Sequence, residues 1–215
     1  MSYPKYFDTH HTLWTSWRHD FHMHPERAYN EHRTSALVTE RLESFGVEVH
    51  KGYGGTGVVG VLKTGDGPNI GLRADMDALP ILEQTQKPYQ SITPGVMHAC
   101  GHDGHTTMLL AAAQYLAETK AFNGTATFIF QPAEEGAAGA AKMIKDGLFT
   151  DHPVDEVFAL HNWPGLDQGA FSGRVGAQMA GFDTFEITIT GVGGHAAMPH
   201  DCVDSIVAAG HLVTA

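Results

Sequence analysis

The 215-residue sequence contains two cysteines, few basic residues and no long apolar run. Cys100 and Cys202 are too few for the disulfide framework that stabilises many small secreted proteins. The longest unbroken apolar run, 108–113, is far shorter than the roughly 20 residues of a membrane-spanning helix. The first ten residues lack the basic and then apolar pattern of a secretory signal. These features predict a cytoplasmic protein that has no membrane partner.

Basic residues are outnumbered: 13 Lys and Arg stand against 24 Asp and Glu, for a formal net charge of −11. A surface of that sign repels phosphate backbones, so we do not expect a nucleic acid partner. The 42% hydrophobic and 17% charged residues are typical of a globular chain rather than a disordered one. Histidine, by contrast, is abundant. Its 15 copies exceed Lys and Arg together, which favours metal binding or acid–base chemistry.

Helical and extended segments alternate along the first 160 residues. Apolar spacing predicts helices at 31–45, 103–120 and 136–146, and strands at 47–49, 58–62, 69–74, 125–130 and 157–160. The uninterrupted apolar residues of the last strand are typical of a strand that is buried on both faces. This alternation predicts an α/β domain.

The pattern changes after Gly181. Residues 182–190 alternate polar and apolar side chains, which predicts a half-exposed strand of an antiparallel sheet. Asp201 is placed to cap a following helix. One strand and one helix do not make a domain, so we expect a truncated chain. We assign a metal-binding catalytic domain to 1–181 and the beginning of a lid or dimerisation domain to 182–215.

The densest group of reactive side chains is the segment from His98 to His105, which contains three histidines, Cys100 and Asp103. Imidazole and thiolate are ligands that Zn²⁺ and related ions prefer. The small residues between them allow the backbone to approach an ion closely. The segment therefore predicts metal binding.

Three further features follow predicted strands: Asp75 with Asp77, Glu134 with Glu135, and His161. Open α/β sheets place their active crevice at the carboxyl ends of the strands. Taken singly, each feature is equally typical of a turn, a helix terminus or a loop. Together they predict a site in which one glutamate binds metal while its neighbour acts as general base. Metal-assisted hydrolysis of an amide is the reaction that these groups suit best.

The sequence does not support other common functional motifs. Residues 52–57 match the G-x-G-x-x-G pattern of dinucleotide-binding loops, but a predicted strand follows them where a helix is required. The sequence contains no H-E-x-x-H, G-x-S-x-G or Walker pattern. A second histidine cluster, at residues 19, 22 and 24, lacks a cysteine or glutamate in ligand spacing, which favours a structural role or one in support of the metal ligands.

Five segments together resemble the hippurate hydrolase group, which comprises N-acyl-amino-acid amidohydrolases and auxin-conjugate hydrolases among the dinuclear metallo-exopeptidases. They are Leu72–Pro80, Met97–His105, Phe130–Gly136, Ala159–Trp163 and Gly193–Pro199. The resemblance runs over nearly the whole chain. It implies an α/β fold with a mixed-sheet dinuclear metallohydrolase domain, helices on both faces of the sheet, and then a smaller α+β lid domain.

The resemblance also implies residue roles. Two divalent ions, drawn from Zn²⁺, Mn²⁺, Co²⁺ and Ni²⁺, would be bound by Cys100, His102, Glu135 and His161. Glu134 would be the general base, and Asp77 would orient the site. His195 would reach the active site of the partner subunit in a homodimer, and the substrate would be a small N-acyl amino acid.

Members of this group continue beyond the point where the sequence ends, and that part supplies a further histidine ligand. Two hypotheses therefore stay open: a fragment of an N-acyl-amino-acid amidohydrolase, or a product that binds metal poorly and lacks catalysis. An aminopeptidase or dipeptidase of the same superfamily is a weaker third, because Cys100-Gly-His102 resembles the amidohydrolase branch.

Overall fold

Five strands form one mixed sheet in the computed structural model, which describes residues 3–215. These residues divide into two units, one that ends at Pro164 and one that spans Gly165–Ala215. The first unit contains α1 Tyr3–Met23, α2 His32–Ser44, β1 Glu48–Tyr53, β2 Gly57–Lys63, β3 Asn69–Asp75, α3 His102–Thr119, β4 Thr125–Gln131, α4 Gly139–Lys145, α5 Leu148–Asp151 and β5 Glu156–Ala159. The domain assignment at 1–181 and 182–215 stays a prediction.

The strand order is β1-β2-β4-β3-β5. β1 pairs with β2 and β2 with β4 in antiparallel fashion, whereas β3 runs parallel to both β4 and β5. In this register Asp75 lies opposite Gln131, and Arg73 lies opposite Ala159. The carboxyl ends of β3, β4 and β5 therefore meet at one edge of the sheet.

The larger core lies between the sheet and helices α1, α2 and α3. Strand alternation directs Ala126, Phe128 and Phe130 of β4 towards this side, where both phenylalanines are fully buried. Leu110 of α3 and Leu42 of α2 pack into the same cluster. Burial of these side chains holds α3, and with it the segment that begins at His102, against the sheet.

A smaller core occupies the opposite face. Val59 of β2 and Ile129 of β4 pack there against Met143 of α4 and Leu148 of α5. Helices therefore cover both faces of a mixed sheet, as predicted.

The last strand of the sheet differs from the prediction. β5 forms at Glu156–Ala159 and pairs with β3, but all four of its residues are exposed, although a strand buried on both faces was expected. The physical reason is that β5 is an edge strand of the sheet that residues 3–164 form, and that neither core cluster includes any of its residues.

The second unit, Gly165–Ala215, also differs. Residues 182–190 have no regular secondary structure, so the prediction of a strand there was wrong. A strand needs a neighbour, and the unit supplies only an isolated bridge between Val192 and Val203. Helix α6 spans Ser205–Thr214 and is capped by Asp204, whose Oδ1 accepts from the Ile206 amide at 2.8 Å. Asp201, the predicted cap, ends a short 3₁₀ turn instead.

Within residues 3–215, none of the helices has both the length and the apolar character needed to cross a membrane.

Truncation of Phe128 tests the larger core. Phe128→Ala should lower the free energy of unfolding by about 3–5 kcal/mol, because it removes a fully buried ring. Phe171→Ala is the matched control, because Phe171 is 84% exposed and should lose far less. Urea unfolding of the two variants measures the difference, and equal losses would contradict this description of the core.

Candidate metal centre

The predicted site residues of the first unit meet at the edge where the parallel strands end. Asp75 is the last residue of β3, Glu134 and Glu135 follow β4, and His161 follows β5. His102 begins α3 and lies under the same edge. Its Nε2 is 3.7 Å from Asp75 Oδ2 and 3.8 Å from Glu135 Oε1.

His102 presents an unsatisfied nitrogen to this cluster. The side chain is fully buried, and its Nδ1–H donates to the carbonyl oxygen of Asp77 at 2.8 Å. Nε2 is therefore the nitrogen that faces the cluster, and it has no hydrogen-bond partner among the described residues. Within residues 3–215, the facing oxygen, Glu135 Oε1, is buried and has no hydrogen-bond partner either. A buried imidazole nitrogen and a buried carboxylate oxygen that face each other without a hydrogen bond fit a cation.

The donor atoms form two overlapping groups, within each of which they lie no more than 4.8 Å apart. One group combines Cys100, His102 and Glu135, and the other combines Asp75, His102, His105 and His161. The groups also meet at Cys100 Sγ, which is 3.4 Å from His161 Nε2. Thiolate, imidazole and carboxylate together suit Zn²⁺, Mn²⁺, Co²⁺ or Ni²⁺.

Asp77 fixes the backbone of the two glutamates through hydrogen bonds. It is 1% exposed, and its Oδ1 and Oδ2 accept from the backbone amides of Glu134 at 2.9 Å and Glu135 at 3.0 Å. Burial raises the pKa of the Asp77 carboxyl, but His102 and these two amides outweigh it, so the net pKa is lowered. Asp77 is therefore charged at neutral pH.

Glu31 holds the same loop and was missed by the sequence analysis. Its Oε1 accepts from the Ala133 amide at 2.8 Å, and its Oε2 accepts from Thr56 Oγ1 at 2.6 Å. Ala133 has a φ of 53°, a left-handed conformation that needs such support. The sequence offers no signal for this contact, because Glu31 looks like an ordinary residue before a helix.

Burial shapes the charges of the cluster. It raises the pKa of the Cys100 thiol to about 12, with the Glu135 carboxylate adding to the shift. Burial also raises the pKa of Glu135. For Asp75 burial acts in the same direction, but the hydrogen bond from His105 and the charges of His102 and Arg73 lower the net pKa to about 2.

His195 and His22 are the two other predicted features. His195 is an exposed residue of the second unit, where its Nδ1 accepts from the Ala197 amide at 3.1 Å. His22, from the second histidine cluster, lies 2.8 Å from Asp103 Oδ2 and 3.2 Å from Glu83 Oε1. These contacts connect α1 to the first turn of α3 through Asp103 and to the segment after β3 through Glu83, which supports the structural role proposed for His22.

Comparison with known proteins agrees with this chemistry. Residues 71–213, more than half of the chain, match peptidase family M20/M25/M40. The chain belongs to this family.

Individual members of the family are similar over nearly the whole chain. Hippurate hydrolase of Campylobacter jejuni is 51% identical over 199 residues, which cover 92% of this chain and 52% of that protein. The IAA-amino acid hydrolase ILR1-like 5 of Arabidopsis thaliana is 46% identical over 197 residues, covering 91% and 45%. The chain therefore spans about half the length of the curated relatives it matches.

A solved structure of the family supports the fold. The YXEP protein of Bacillus subtilis, a dinuclear metal binding peptidase of the M20 family, superposes with a TM-score of 0.70 at 41% sequence identity. The superposition covers 74% of this chain and 45% of that one. This similarity confirms the predicted fold class.

The raised pKa of Cys100 predicts slow alkylation of the metal-free protein. In a Cys202→Ala background, where Cys100 is the remaining thiol, the rate with iodoacetamide should keep rising beyond pH 10, because the pKa is about 12. Glu135→Gln should accelerate the reaction at a given pH, because it removes the nearest carboxylate charge. A rate that levels off near pH 9 would contradict the assigned environment.

Proposed function

We propose that the protein is a metal-dependent amidohydrolase that cleaves N-acyl amino acids into a carboxylic acid and an amino acid. The observation that carries this proposal is a pair of buried atoms, His102 Nε2 and Glu135 Oε1, which lie 3.8 Å apart and have no hydrogen-bond partner in the described part of the chain. Cys100 and His161 add a thiol and an imidazole beside it. The names of the relatives, a hippurate hydrolase and an IAA-amino acid hydrolase, support an amide of this class as substrate.

Cys100, His102, Glu135 and His161 would hold two divalent ions, each Zn²⁺, Mn²⁺, Co²⁺ or Ni²⁺. When bound, such ions polarise a carbonyl group and lower the pKa of water. Glu135 suits the role of ligand because its side chain is only 23% exposed and directs an unpaired oxygen at His102.

Glu134 suits the role of general base. Its side chain is 40% exposed, so a substrate can reach it, and its Oε2 lies 3.9 Å from His102 Nε2. The hydrogen bond from its amide to Asp77 fixes the backbone from which the carboxylate extends. Glu134 would accept a proton from the attacking water and deliver it to the leaving nitrogen.

We further propose a homodimer in which His195 acts across the interface, stabilising the developing oxyanion and the substrate carboxylate. This part of the proposal rests on the resemblance of residues 193–199 to the family motif. A cytoplasmic location is proposed as well, since both cysteines are free and a reducing compartment would keep them so.

Replacing Glu134 tests the base. Glu134→Gln should lower kcat for hippurate by about 10²–10⁴-fold, because the amide cannot accept the proton. Metal content should stay unchanged, since Glu134 is not a proposed ligand. Glu43→Gln, at an exposed position on α2, is the matched control. Activity retained by Glu134→Gln would overturn the mechanism.

Mixed dimers test His195. Glu134→Gln and His195→Ala homodimers should each be nearly inactive, because each lacks one essential group in every site. Mixing and reannealing the two should restore activity, since one site in the mixed dimer then combines Glu134 with the partner's intact His195. Recovery would be measured as hydrolysis of hippurate by the separated mixed dimer. A mixture no more active than its components would contradict action across the interface.

A further inference from the structure

His105 belongs to one of the two donor groups, yet both of its ring nitrogens already have close partners. Nδ1 lies 2.6 Å from Asp75 Oδ1. Because a carboxylate oxygen only accepts, the Nδ1–H donates to Asp75, and Nε2 accepts from the Asn162 backbone N–H at 3.0 Å. The side-chain amide of Asn162 also lies against Nε2, at 2.6 Å. The imidazole is 2% exposed, so water does not compete for these contacts. An ion that bound to His105 would break hydrogen bonds that are shielded from water.

Asn162 in turn contacts the proposed ligand next to it. The Nδ1–H of His161 donates to the Asn162 carbonyl oxygen at 2.7 Å. That bond fixes the His161 tautomer, so that Nε2 carries the lone pair. The same Nε2 is the atom that lies 3.4 Å from Cys100 Sγ. Asn162 therefore forms a hydrogen bond with His105 on one side and orients His161 on the other.

The far end of this chain of contacts is anchored in the sheet. Asp75 is 1% exposed, and its second oxygen accepts from Arg73 Nη1 at 2.8 Å. Its backbone carbonyl oxygen accepts from Thr106 Oγ1, also at 2.8 Å. Asp75 is thus held by its own strand and by α3, and it can act as a fixed point for His105.

Gly101 leaves the space that the Asn162 side chain occupies. Gly101 has a φ of +92°, and a Cβ atom built on it would overlap the Asn162 amide. Only glycine between Cys100 and His102 leaves room for the amide to lie over the backbone. The fit connects the loop after β5 to the segment that carries two proposed ligands.

We propose that Asp75, His105 and Asn162 form a hydrogen-bonded relay that orients His161 for metal binding, so that His105 and Asn162 are positioning residues rather than ligands. The inference rests on the proposed function, in which His161 is a ligand. Contacts of this kind orient ligand imidazoles and tune their basicity in metal sites.

The test is a Co²⁺ titration of the metal-free protein, followed by visible absorption and by competition with a chelator. His161→Ala should lose one of two equivalents. His105→Ala and Asn162→Ala should keep two equivalents but bind one of them about 10–100-fold more weakly, with Asn162→Ala at the lower end because its backbone groups remain. His50→Ala, on β1, is the histidine control and should bind both ions normally.

Stability measurements separate positioning from folding. Asn162 is exposed, so Asn162→Ala should leave the Tm of the metal-free protein near that of the unmodified protein while weakening Co²⁺ binding. Co²⁺ affinity unchanged in both relay variants would overturn the relay. So would loss of a whole equivalent in His105→Ala beside normal binding in Asn162→Ala, because His105 would then be a ligand. Two normal equivalents in His161→Ala would instead overturn the proposed metal centre itself.

Discussion

The carboxylate of Asp77 is the contact on which the candidate metal centre depends. The two carboxylate oxygens accept from the amides of Glu134 and Glu135, and the backbone carbonyl oxygen of the same residue accepts from His102. One buried residue thereby fixes the proposed base and two proposed ligands, although they come from different parts of the chain. A buried carboxylate that lost these partners would be left uncompensated, so Asp77 cannot shift without disturbing all three.

The sheet order explains how two aspartates separated by one residue serve different loops. β3 lies between β4 and β5, so the chain that leaves it neighbours the loops that follow both. Asp77 contacts the loop after β4 through the glutamate amides. Asp75 reaches the loop after β5 through His105 and Asn162. Parallel pairing of three strands thus determines which side of the centre each carboxylate supports.

Local patterns in the sequence were sufficient to predict much of this arrangement. Strands β2 to β4 and helix α3 follow apolar periodicity, and the side chains at the strand ends meet because those strands are parallel. Glu31 and Asn162 escaped notice because their partners lie 102 and 57 residues away, and no local pattern encodes such contacts. The alternation at 182–190 predicted a strand, but strand formation depends on a neighbouring strand that periodicity does not supply.

Buried histidines of the segment 98–105 show why burial alone does not identify a ligand. Among residues 3–215, both nitrogens of His98 lack hydrogen-bond partners, as does Nε2 of His102, and such buried groups cost about 1–3 kcal/mol each. Burial lowers the pKa of His98 to about 4, so His98 avoids a buried charge by staying neutral. His102 differs because it faces the unpaired oxygen of Glu135, and the same surroundings raise its pKa despite burial. The carboxylates around an imidazole, rather than its exposed fraction, therefore decide whether a cation is favoured there.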